Sequence, residues 1–288
     1  MMSLKSLLLF AGAAAARVIS LDGRAVDENL PCGNDGVPDE LYDMTAAIAA
    51  KRSLRPRKSC GANKTETVQV YFHVVDNGSN STVIKDSDIN RQMRLIDEEF
   101  SKHGFHMKLA DVSRTSNRDW AQDANSTGVK NMKNTLRQGR YRDLNVYIVD
   151  SIANGTQNGN CHYPTAHHPE GSPEFLRDGC VIRNFVVPKT DEAATVEGKG
   201  KTLIHEVGHW FGLIHTFEGG CDKGDEVDDT PPQVASSTTC GLPAKTCPGA
   251  AAVLFKNYMD YSPGACRDSF TPGQVERMKG FWTNYRLK

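Results

Sequence analysis

One short segment, Thr202 to His215, holds the residues best placed to do chemistry: His205-Glu206-x-x-His209-x-x-Gly212-x-x-His215. On a helix, residues four apart share a face, so the His205 and His209 imidazoles can converge on one ion. Glu206 is next to the first of them and can reach a water on that ion. Gly212 tolerates the positive φ that stops a helix. The chain can then turn back and bring in His215 as a third nitrogen. Three neutral imidazoles leave one position open, the arrangement of a catalytic zinc site with Zn–N distances of about 2.0–2.1 Å. A vacancy beside a carboxylate predicts hydrolysis by a metal-activated water, with Glu206 as general base. The bland alternative is a buried helix whose histidines are simply hydrogen-bonded. His73, His103, His106, His162, His167 and His168 lack ligand spacing and read as surface or structural.

The elements that must position this segment can be read from periodicity. Residues 67–75 are rich in β-branched and aromatic side chains and predict a strand. Ile89, Met93, Ile96 and Phe100 are spaced by four, three and four, which predicts a helix over 86–103 with an acidic start. Residues 105–112, 143–152 and 181–187 read as further strands, 39–50 and 126–139 as helices. Strands and helices alternate until residue 217, after which Gly, Pro, Asp and Cys dominate. A last helix runs from Thr271 to about Tyr285, opened by Thr271-Pro272. A peptide substrate is expected to lie extended along an edge strand within residues 155–164.

The 288 residues, 39% hydrophobic and 24% charged, suffice for a real core and exclude disorder as the main state. Balanced charge (34 basic, 35 acidic) gives no field for nucleic acid or an acidic membrane. Lys5, the apolar run from Leu7 and the small residues Ala14-Ala15-Ala16 read as a signal peptide over 1–16. That run is too short to span a bilayer, which needs about 20 residues. The expectation is therefore a secreted, extracellular chain. Export agrees with an even set of eight cysteines and with sequons at Asn63, Asn77, Asn80, Asn125 and Asn154. Lys51-Arg52 opens a basic stretch that reads either as a solvated linker or as a processing site. The second reading divides the chain into a pro-segment and linker over 17–58 and a catalytic domain over 59–288.

The extended zinc motif, with His205-Glu206-Val207-Gly208-His209-Trp210, Asp229-Thr230-Pro231 and the turn Asn257-Tyr258-Met259-Asp260-Tyr261, resembles the pappalysin family of metzincin metalloproteinases, which includes secreted fungal enzymes. The similarity runs from about Thr67 through Asp268. It implies an α/β (α+β) fold, with an upper subdomain of twisted mixed sheet and two long helices. Below lies an irregular, disulfide-stapled subdomain ending in a helix. It implies that His205, His209 and His215 bind zinc, that Met259 forms an apolar floor, and that Tyr261 hydrogen-bonds the tetrahedral intermediate. It also implies the pairs Cys221–Cys247 and Cys240–Cys266, where spacing alone allows three connectivities. Cys161–Cys180 is then the natural remaining pair within the domain. Cys32, in Pro31-Cys32-Gly33, resembles a pro-segment cysteine that holds zinc's fourth position and keeps the enzyme latent. A Cys32–Cys60 disulfide is the equal alternative.

Asp222, Asp225, Glu226, Asp228 and Asp229 lie among glycines in an oxygen-rich loop that suits Ca²⁺, as it also suits plain solvation. Ser262-Pro263-Gly264-Ala265 puts no acid after the methionine turn until Asp268, so a broad, apolar primed-side pocket is expected instead of a basic preference. The partners expected are protein or peptide substrates, with no nucleic acid or membrane, for a monomer. Two other classes compete: a secreted zinc-binding interaction module without catalysis, and a glycan- or matrix-binding protein with structural zinc. Structural sites are usually closed by four protein ligands; three histidines beside Glu206 argue against both.

Overall fold

The computed structural model describes residues 32–34, 36–53, 65–79, 83–122, 126–189, 200–241, 247–249 and 254–288. Strand β1 (Glu66–Asp76) is the hub of a five-stranded sheet of order β2-β1-β3-β5-β4. It pairs in parallel with β2 (Phe105–Ser116) and β3 (Leu144–Val149), and β3 pairs in parallel with β5 (Cys180–Arg183). The short β4 (Gly159–Cys161) closes one edge, antiparallel to β5. Parallel neighbours need crossovers. Helix α2 (Asp86–Ser101) links β1 to β2, and α3 (Arg118–Gln122) and α4 (Ser126–Leu136) lead into β3.

Alternation along the strands divides the core in two. Val146 and Ile148 of β3 face one layer with Ile89, Ile96 and Phe100 of α2 and with Leu203, Ile204 and Val207 of α6 (Lys201–Trp210). Tyr147 and Val149 face the other, with Ala121 of α3 and Met132 of α4. Helix α1 (Asp39–Ser53) packs Leu41 and Met44 against Tyr163, Ile214, Phe281 and Tyr285 in a third cluster.

Several boundaries differ from the sequence reading, each for a tertiary reason. Strand β2 runs four residues past 112 because β1 pairs with it along its whole length, through an irregularity at Val70/Tyr71. Strand β5 stops at Arg183, not 187. A 3₁₀ turn, Asn184–Val186, follows, and Asn184 Nδ2 donates to Asp150 Oδ1 at 2.7 Å. The final helix α8 (Pro272–Phe281) begins with a capping box between Thr271 and Gln274. It then widens into a π-turn, Trp282–Arg286, which buries Trp282 and Arg286.

Below α6 regular structure is sparse. The short helices α5 (Pro173–Arg177) and α7 (Gly220–Lys223) are the remaining α elements among the described residues. Disulfides join Cys221 to Cys247, Cys240 to Cys266, and Cys161 on β4 to Cys180 on β5. The first two tie down the chain around the methionine turn, where little hydrogen-bonded structure could. No described helix is long and apolar enough to cross a membrane.

Candidate active site

Helix α6 ends where the sequence places its glycine. Gly212 has φ 91°, its N–H donates to the His209 carbonyl at 2.8 Å, and Leu213 N–H donates to the Gly208 carbonyl at 2.9 Å. A Cβ at Gly212 would come within 2.6 Å of the Phe281 ring, so space as well as φ demands glycine. The reversed chain delivers His215. The buried carbonyls at this helix end need donors, and the C-terminal segment supplies them. Arg286 Nη2 and Nε donate to the Trp210 carbonyl at 2.8 and 3.2 Å, and Arg277 Nε donates to the Gly212 carbonyl at 2.7 Å. Asp178 anchors this cluster, 2.8 Å from Arg286 and accepting from the Trp210 indole at 3.1 Å. Burial alone would raise its carboxyl; the Arg286 and Arg137 charges hold it below the usual range. No local sequence pattern marks Asp178, Arg277 or Arg286.

The three imidazoles meet through Nε2: His209 lies 3.1 Å from His205 and 3.2 Å from His215. Nδ1–H of His205 donates to the Tyr258 carbonyl at 2.6 Å, and that of His209 to the Leu213 carbonyl at 2.8 Å. Each bond fixes the tautomer and leaves an Nε2 lone pair facing inward. Burial pushes both rings well below the ordinary histidine range, and repulsion from His209 and His215 on His205, and from His215 on His209, adds to this. Nitrogens held tetrahedrally at 2.0–2.1 Å from zinc stand about 3.3 Å apart, so this donor set fits the ion.

Cys32 carries an unpaired thiol, which excludes the Cys32–Cys60 alternative here; Cys60 itself lies outside the described residues. Its Sγ is 3.4 Å from His209 Nε2, and the four ligand atoms all lie within 4.8 Å of one another. The thiol comes with its strand. Cys32 bridges Gly159 in parallel, Gly33 N–H donates to the Gly159 carbonyl at 2.8 Å, and the Asn34 side chain exchanges hydrogen bonds with both backbone groups of Cys161. Residues 32–34 are thus laid along β4, inside the range expected for the substrate edge.

Glu206 is fully buried, burial pushes its carboxyl up to about 8, and neither oxygen has a well-formed hydrogen bond among the described residues. Gly159 lies against it: a Cβ there would be 2.6 Å from Glu206 Oε1. Met259 is completely buried beneath the histidines, with its sulfur packed on Gly208. Its carbonyl accepts from Thr216 N–H at 3.2 Å and its N–H donates to Asn257 Oδ1 at 2.9 Å. The Tyr261 ring is 4.7 Å from that of His215, and its hydroxyl donates to the Cys32 carbonyl at 3.2 Å. Arg267, which the sequence reading passed over, is buried behind this turn, near enough for its charge to act on His205 and Glu206.

Other expected sites are dispersed. The acids considered for calcium do not converge. Asp225 accepts from Thr230 and from Val227 N–H, while Asp229 caps α8 through Thr271 and Gly273 N–H; Asp222 and Asp228 are exposed. Among the described residues only Cys32 and the three histidines form a metal-sized group. His73 is buried between Ser113 and Asn145, and His103 and His106 pair with Glu99 and Asp97. Asn154 is exposed and Asn77 half-buried. Asn63, Asn80, Asn125 and residues 1–16 lie outside the described residues.

Comparison with known proteins agrees with this geometry. Residues 127–283, more than half the chain, match the profile of peptidase family M43, described as pregnancy-associated plasma protein-A. The chain is 38% identical over 283 residues to an extracellular metalloprotease of Verticillium alfalfae, covering 95% of this chain and 97% of that protein. It is 42% identical over 252 residues to extracellular metalloprotease 1 of Coccidioides posadasii, covering 86% and 88%. Mature mirolysin of Tannerella forsythia in complex with a cleaved peptide superposes with a TM-score of 0.60 at 26% identity, over 76% of this chain and 92% of that one. A promirolysin mutant superposes with a TM-score of 0.66, also at 26% identity, over 84% and 87%. With its α/β metzincin fold and a histidine cluster matched to zinc, the chain belongs to the pappalysin family, peptidase family M43, and is a secreted zinc-dependent endopeptidase acting on protein or peptide substrates.

Proposed function

We propose that His205, His209 and His215 hold the catalytic zinc and that Glu206 is the general base of peptide hydrolysis. One observation carries this reading: three inward-facing Nε2 atoms at 3.1–3.2 Å stand beside a fully buried carboxylate whose only neighbouring donor among the described residues is the Cys32 thiol. When bound there, zinc supplies a Lewis acid that acidifies water and polarises the scissile carbonyl. Glu206 takes the proton of the attacking water and gives it to the amine nitrogen as the C–N bond breaks. The Tyr261 hydroxyl, now on the Cys32 carbonyl, donates to the oxyanion that forms in that place. The β4 backbone groups that hold residues 33 and 34 pair with the extended substrate, and Met259 keeps the floor dry.

Residues 1–16 act as the signal and 17–58 as a pro-segment released at the basic stretch, leaving 59–288 as the mature, monomeric domain. In the uncleaved chain the Cys32 thiol sits where water must bind, so it keeps the site latent. The broader superposition on a promirolysin than on a mature form supports this. The buried Arg267 cation disfavours a basic side chain near the site, in keeping with a broad, apolar primed pocket. The test is chelator-sensitive cleavage of casein by the purified protein beside Glu206→Ala. Loss of cleavage in the variant is expected; equal activity overturns the assignment.

A further inference from the structure

On the face of the sheet away from α6, a cavity of about 590 Å³ lies between α4, residues 152–157, β4 and α5. Among the described residues it is lined by the basic side chains Lys130, Lys133 and Arg177 with His162, Asn160 and Gln157, and by no acid. Lys133 is 3% exposed, and its ammonium donates to the carbonyls of Arg177 and Gly179 at 2.7 and 3.0 Å. An ammonium has three donors, so one is left for the cavity. Among the described residues the nearby acids are hydrogen-bonded or ion-paired to other groups, Asp178 with Arg286, Arg137 and the Trp210 indole and Glu174 with Arg177, and only the charge of Asp178 reaches Lys133 and His162. Burial pushes Lys133 down to about 7 and His162 down to about 4, against the opposing pull of the Asp178 charge. Near neutral pH His162 is therefore a neutral polar wall, and the positive charge comes from Lys130, Arg177 and a partly protonated Lys133.

A second cavity of about 200 Å³ shares Lys133, Asn160 and His162, and is lined as well by Gly33, Asn34, Gly36, Cys161 and Tyr163. Any peptide that replaces Gly33 and Asn34 on β4 therefore borders the cationic cavity. A strand advances about 3.3 Å per residue and alternates faces. Gly159 touches Glu206, so Asn160 to His162 lie one to three residues farther along.

We propose that this cavity is a substrate subsite for an acidic side chain, Asp or Glu, one to three residues from the cleaved bond. The proposal rests on the reading that peptides are cleaved while extended on β4. The test is cleavage, by the chain once its N-terminal segment has been cut off at the basic stretch, of peptide pairs that differ only in Glu against Gln at each of three positions on either side of the cut. At one position Glu should raise kcat/KM about tenfold, the effect of one charge-assisted hydrogen bond. That Glu-to-Gln ratio should fall toward one in Lys130→Gln and in Lys133→Met. A ratio of one at every position in the wild-type chain overturns the subsite, as does a preference that survives both substitutions. Lys130 is exposed, so Lys130→Gln retains the fold even if Lys133→Met, which loses two carbonyl contacts, does not. If no peptide is cleaved, the hydrolytic assignment fails and binding decides the subsite. N-acetylglutamate methylamide should then shift the His162 ring-proton resonances and N-acetylglutamine methylamide should not; equal effects overturn it.

Discussion

The carboxylate of Glu206 lies against a residue without a side chain, and that contact sets its direction. With Gly159 only 2.6 Å away at the position of a Cβ, Gly159→Ala must push the carboxylate or bend β4. A displacement of this kind costs orientation more than binding. Gly159→Ala should lower kcat by about 10- to 100-fold with a smaller change in KM, measured on a single peptide. Removing the base itself should cost more: Glu206→Gln should lower kcat by about 10²- to 10⁴-fold. Elemental analysis should still find one zinc per chain, because the three imidazoles and the carbonyls that orient His205 and His209 are untouched. Cys32→Ser removes the soft ligand from beside His209. With the segment held on β4 alone, the uncleaved variant should hydrolyse peptide after a shorter lag than the uncleaved wild-type chain. A lag of equal length in both would refute the thiol as the latch.

Helix α6 carries the first two histidines but does not hold its own C-terminal end. Its last carbonyls point at Arg286 and Arg277, and Asp178 neutralises the first of these. Removing one partner from a buried ion pair leaves the other charge uncompensated, at about 3–5 kcal/mol. Arg286→Ala should lose about that much stability in a denaturant titration, although the residue is third from the C-terminus. The same pair sets an acid limit. The Asp178 carboxyl is held below its unfolded value, so it contributes stability that is complete above an unfolded pKa near 3.9. That contribution is lost as pH falls through the lower folded value. The wild-type stability curve should therefore drop more steeply below about pH 4 than that of Asp178→Asn, by thermal melts across pH.

For the molecule as a whole, the upper half is held by a sheet and its crossing helices, the lower half by covalent links. Cys221–Cys247 and Cys240–Cys266 each link residues 26 apart in the sequence. Replacing Cys240 and Cys266 together by serine should cost about 2–4 kcal/mol. The lower Tm should be accompanied by loss of activity, since this loop leads to Met259 and Tyr261. Helix α1 sits across the opposite side, where Leu41 and Met44 cover Tyr163, Ile214 and Tyr285. Together with residues 32–34 on β4 it belongs to the segment proposed above to be released from the mature domain.

Local spacing was enough to group His205, Glu206 and His209 and to place the helix stop at Gly212, because a helix brings residues four apart together whatever surrounds it. The core faces of β1 and α2 were legible for the same reason: each element's burial follows its own period. What chain neighbours could not reveal was anything joined across long separations. The sequence left Cys32 open between a disulfide and a latch, and its position 3.4 Å from His209, 177 residues away, removed the disulfide. The acid-rich loop looked fit for calcium, but its carboxylates are drawn apart by Thr230 and by the start of α8. Arg286, Asp178 and Lys133 carry no local mark because burial, the property that makes them matter, exists only once distant segments have packed. Type and spacing therefore determined the chemistry available to this chain; tertiary packing alone decided which charges face the site, which are paired, and what lies across the substrate's path.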